Sequence, residues 1–107
     1  MSILTWFTGA SSKRSKALAL FRHGVKRAKS QDIDGAITNY TRVMNLEDVP
    51  SDVKAMAQFN RALAYSSARK YDKATDDLDG VLAMPSIPPK VKNAAKVKRE
   101  RMRKRSP

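Results

Sequence analysis

His23 is the single histidine of a chain without cysteine. Thiolate metal sites, cysteine nucleophiles and disulfides are therefore excluded, and no acid pair is placed by spacing to work with the imidazole. Asp72, Asp76, Asp77 and Asp79 crowd one short segment, where Asp72 and Asp76, one helical turn apart, share a face. Such a cluster reads as a solvated acidic surface before it reads as a metal site. With no glycine-rich phosphate loop either, the expectation is a noncatalytic protein that needs neither metal nor cofactor. The chemistry that remains is recognition. Lys96, Lys98, Arg99, Arg101, Arg103, Lys104 and Arg105 form a basic patch that can contact phosphates. No aromatic residue lies among them to stack a base, so nucleic-acid binding there would be nonspecific. The same run also suits a solvated helix that closes a stack.

At 107 residues the chain has the size of one small domain. Its formal charge of +12 is unevenly spread, with +7 on residues 1–30, −3 on residues 31–50, 0 on residues 51–87 and +8 on residues 88–107. Polycationic ends attract carboxylate or phosphate surfaces and make association sensitive to salt. Apolar residues make up 41%, and no run approaches the roughly 20 needed to cross a bilayer. Ile3, Leu4, Trp6 and Phe7 precede Lys13 and Arg14, the reverse of a secretory signal, so a cytoplasmic location is the expectation.

Helical spacing of apolar residues defines the elements. Ala17, Leu20, Phe21, Val25 and Ala28 mark a first helix over residues 15–29, with its start at Ser11 and Ser12. Ile33, Ala36, Ile37, Tyr40, Val43 and Met44 mark a second, with Asp32 or Asp34 suited to its first turn. Pro50 opens a third helix carrying Val53, Met56, Ala57, Phe59, Leu63 and Tyr65. Arg69 and Lys70 make a tight turn into a fourth with Tyr71, Ala74, Leu78 and Val81. Pro88 and Pro89 open a fifth, basic helix. The Val49-Pro50 segment recurs as Ile87-Pro88 and Ala36 recurs as Ala74, each 38 residues on. A period of this size belongs to helical hairpins that stack, since one hairpin cannot bury its apolar face alone. The fold class expected is all-α: two stacked antiparallel hairpins and a basic capping helix. The units are a lead over residues 1–12, repeats over 13–48 and 49–86, and a cap over 87–107.

Residues 31–40 and 69–78 resemble the second half of a tetratricopeptide repeat, and Asn60-Arg61-Ala62-Leu63-Ala64-Tyr65 resembles the core of its helix A. Gly24 and Ala62 match the family's small helix A residue, Ile33 and Tyr71 its turn residue, Ala36 and Ala74 its alanine, and Tyr40 and Leu78 the large residue beyond. The resemblance covers residues 15–86. Arg27, Gln58 and Arg61 stand where the family packs apolar or aromatic side chains, and the link through Pro50 is longer than its compact unit.

The resemblance implies a groove lined by the A helices that holds a segment of a partner protein. Carried onto this sequence, its lining is Leu18, Phe21, Arg22, Val25 and Lys29, then Met56, Phe59, Asn60, Leu63 and Ser67, then Ala94, Val97, Lys98 and Arg101. An apolar floor with a basic rim suits an acidic protein or peptide. Phe21 and Phe59 would otherwise pack on neighbouring helices, and Asn60 would bond either a ligand or an adjacent helix. Asn60 and Lys98 match two positions of the carboxylate clamp in chaperone-binding members, but Phe21, Val25 and Ala94 break that pattern. The apolar lead could fold back on the first repeat, meet a membrane surface or dock elsewhere. Self-association through uncovered helix faces is a further possibility.

Overall fold

The computed structural model describes the backbone of residues 2–105 and the side chains of residues 13–105. Five α-helices and no strand occur among them: α1 (Ser2–Lys29), α2 (Ile33–Asn45), α3 (Ser51–Ser67), α4 (Tyr71–Leu82) and α5 (Pro89–Arg105). The all-α expectation holds. α1 extends back through the serines at which a start was expected. The side chains of Ile3, Leu4, Trp6 and Phe7 lie outside the described residues.

The 38-residue period is written into the backbone. Gln31 and Arg69 both take positive φ, at 66° and 61°, and the following Asp32 and Lys70 have nearly equal dihedrals of −84°, 73° and −93°, 68°. This left-handed residue ends each first helix of a pair and turns the chain back on it. The Asp32 N–H donates to the Arg27 carbonyl and that of Lys70 to the Tyr65 carbonyl, both at 2.8 Å. Ahead of α3 and α5 the same correspondence recurs, with Lys54 donating to Pro50 and Lys92 to Pro88, both at 3.0 Å. Asp32 caps α2 by accepting the Gly35 N–H at 3.0 Å, satisfying one free donor of the helix start.

Each hairpin packs its helices on one another, and α3 joins the two. One buried cluster draws on α1 (Ala17), α2 (Ala36, Tyr40, Val43) and α3 (Val53, Ala57, Ala64). The other draws on α3 (Ala62), α4 (Ala74, Leu78, Val81) and α5 (Ala95, Met102). α3 therefore spends opposite faces on the two clusters, which is how the second hairpin stacks on the first. Small residues set the spacing between helices. A Cβ on Gly24 would stand 2.6 Å from Tyr40 Cε1, so α1 and α2 approach closely only because that position lacks one.

A largely buried ion pair joins α3 to α4 within the second hairpin, and its arginine also reaches the first. Arg61 Nε and Nη2 donate to Asp77 at 2.8 and 2.7 Å, and Arg61 Nη1 donates to Thr41 Oγ1 of α2 at 3.1 Å. The reading of Asp77 as part of a solvated acidic surface is corrected here, since the residue is 4% exposed. With Ala74, Leu78 and Val81, it lies on the inward stripe of α4, while Asp72, Asp76 and Asp79 are exposed.

Candidate functional site

The cleft between the C-terminal ends of α1 and α3 is built from three elements. Val25, Ala28 and Lys29 come from α1, Ile33 and Tyr40 from α2, and Asn60, Leu63, Ala64 and Ser67 from α3. Gln31, in the left-handed turn, completes a volume of about 260 Å³. Its floor is aliphatic and its rim carries one cation, two amides and a hydroxyl. These groups can hold an apolar anchor while meeting the backbone or an acid beside it.

Tyr40 is almost wholly enclosed, and burial pushes its phenol above the ordinary tyrosine value. The amide side chain of Asn60 beside it works in the opposite direction. Asn60 thus lies beside Tyr40 of the adjacent helix, at the edge of the cleft.

The structure brings Val25, Lys29, Asn60, Leu63 and Ser67 together at this cleft. Phe21 is half-buried against the first cluster, its ring centroid 5.8 Å from that of Tyr40. Phe59 is half-buried against the second cluster. Met56 and Lys98 are half-buried and Arg22 and Arg101 exposed, none of them lining the cleft. Sequence reasoning missed Ala28, Gln31, Ile33, Tyr40 and Ala64 as lining residues. The signal available was the turn itself, which places its flanking side chains at the C-terminal ends of α1 and α3.

At the basic end, Arg99 meets Asp79 at 3.1 Å and Arg103 meets Glu100 at 3.6 Å. Both arginines, with Thr75 and Asp79, line a second cleft of about 260 Å³. Lys96, Lys104 and Arg105 are exposed. On the opposite end Lys13 pairs with Asp48 at 2.9 Å and Arg14 with Asp52 at 3.0 Å. Hydrogen bonds from these cations hold both carboxyls below the ordinary aspartate range. Among the described residues no group of three or more metal-ligating side chains occurs, and no helix is long and apolar enough to cross a membrane. The sequence matches no family model, and neither a curated protein nor a solved structure matches it significantly.

Proposed function

We propose that the chain is a tetratricopeptide-type repeat protein without catalytic activity. It binds a segment of a partner protein in the cleft between α1 and α3, and the segment has an apolar anchor flanked by acidic residues. The observation that carries this reading is the cleft itself, where Val25, Leu63 and Ile33 lie beside Lys29. Burial of an aliphatic anchor supplies affinity, and the cation selects the flank. The internal period and the close approach of Gly24 to Tyr40 support the repeat assignment. A cytoplasmic location accords with this role.

Selection from a displayed peptide library, followed by titration of the enriched peptides, tests it. Leu63→Glu is the discriminating variant because Leu63 lines the cleft and belongs to neither buried cluster. Enriched peptides should share an aliphatic anchor beside acids and lose about tenfold or more in affinity against Leu63→Glu at unchanged Tm. Peptides that bind both proteins equally would overturn the reading.

The exposed cations Lys96, Lys104 and Arg105 support a second reading, nonspecific association with nucleic acid. That complex would weaken steeply with salt and ignore Leu63→Glu, whereas the peptide complex should survive moderate salt.

A further inference from the structure

α3 and α5 occupy equivalent places 38 residues apart, yet among the described residues only α3 has a helix on its forward face. Arg61 uses two edges of its guanidinium. Nη1 reaches back to Thr41 on α2, while Nε and Nη2 reach forward to Asp77 on α4. Thirty-eight residues on, Thr41 becomes Asp79 and Arg61 becomes Arg99. The backward contact is kept, with Arg99 Nη1 3.1 Å from Asp79 Oδ1. The forward contact has no counterpart among the described residues.

The neighbours of that position carry the same signature. Gln58, which donates to Asp77 at 3.5 Å, becomes the exposed Lys96, which has no ion-pair partner among the described residues. Phe59 becomes Val97, the one large apolar side chain exposed among the described residues, at 52%. Ala62 becomes Glu100, and Tyr65 becomes Arg103.

We propose that this face of α5 docks an acidic amphipathic helix from a partner molecule. A carboxylate of that helix bridges Arg99 and Lys96 as Asp77 bridges Arg61 and Gln58. The internal template specifies the rest of the occupant. Tyr40 follows Asn39, the equivalent of Asp77, and its ring meets Gly24, the equivalent of Glu100. The partner residue after the carboxylate therefore faces Glu100 and is a lysine or arginine, while an apolar neighbour covers Val97. A second copy of this chain is disfavoured, because α2 and α4 already bury the corresponding faces in their own hairpins. Phosphate is disfavoured too, since Glu100 stands in the middle of the face and Val97 offers it nothing.

The test uses the full chain, isotope-labelled, and a helix-stapled peptide of the Tyr71–Leu82 sequence with lysine in place of Leu78. Saturable amide shifts should centre on Lys96, Val97, Arg99 and Arg103. Affinity should fall about tenfold when the peptide's Asp77 is replaced by asparagine, and again in Lys96→Glu protein, with Leu63→Glu protein unaffected. No saturable binding, or binding indifferent to the peptide's Asp77, overturns the proposal. So do shifts centred on α3 and α4, which would mean that the peptide has displaced α4. A duplex oligonucleotide that shifts the same amides and outcompetes the peptide equally overturns it in favour of phosphate.

Discussion

Gly24 and Tyr40 illustrate how one missing atom decides a hairpin. Tyr40 is among the largest side chains fully enclosed here, and its ring occupies the space that any Cβ at position 24 would need. The equivalent pair, Ala62 and Leu78, makes the opposite division, a larger residue on the first helix and a smaller one on the second. Volume is shared across the contact, so each position constrains the other. Gly24→Ala should destabilise the fold by about 1–3 kcal/mol despite the better helix propensity of alanine, because a buried ring cannot retreat. Thermal unfolding reads this as a fall of roughly 5–20 °C in Tm. Gly24→Ala combined with Tyr40→Leu, which copies the second hairpin, should recover much of the loss. An unchanged Tm in the single variant would show that the helices separate at little cost.

At the scale of elements, the two hairpins were legible because their apolar residues recur at helical spacing and their punctuation recurs at a fixed step. Asp32, Pro50 and Pro89 stand at helix starts, and Gln31 and Arg69 at the turns, where backbone geometry and sequence agree. What the sequence hid was polar burial. Arg61 reads as a departure from apolar packing and Asp77 as one of four solvated acids, yet each is the reason for the other. Their side chains are 18% and 6% exposed. Composition cannot announce such a pair, because its members lie 16 residues apart on different helices. The spacing of Asp77 with Ala74, Leu78 and Val81 was the usable clue. The cleft was half legible for a similar reason. Val25, Lys29, Asn60, Leu63 and Ser67 were reached through the tetratricopeptide resemblance, whereas Gln31 and Tyr40 reach the cleft through turn geometry and the gap left by Gly24. Asp77→Ala should cost about 3–5 kcal/mol by stranding the Arg61 charge, while Arg61→Met with Asp77→Leu should cost far less. Chemical denaturation of the three variants measures the difference, and equal losses would mean that the pair contributes attraction rather than avoided desolvation.

Across the whole molecule, stability is a chain of nearest-neighbour contacts. Among the described residues α1 packs on α2 and α3, while α5 packs on α3 and α4, so the two ends communicate through α3. Repeat stacks with this connectivity can loosen at one end without melting at the other. Met102 anchors α5 with only 3% of its surface exposed, in a helix whose surroundings are otherwise strongly cationic. Met102→Ala should remove about 2 kcal/mol of that anchoring. Native-state hydrogen exchange should then accelerate across α5 and along α4, while the α1–α2 amides keep their protection. The charge distribution sharpens the contrast, because α5 gathers most of the basic residues of its end and lowering salt should enlarge the effect on α5 alone. Uniform acceleration across all five helices would show instead that α3 couples the hairpins into one cooperative unit, and that the face of α5 can be occupied or bared without altering the α1–α3 cleft only while the whole fold stays closed.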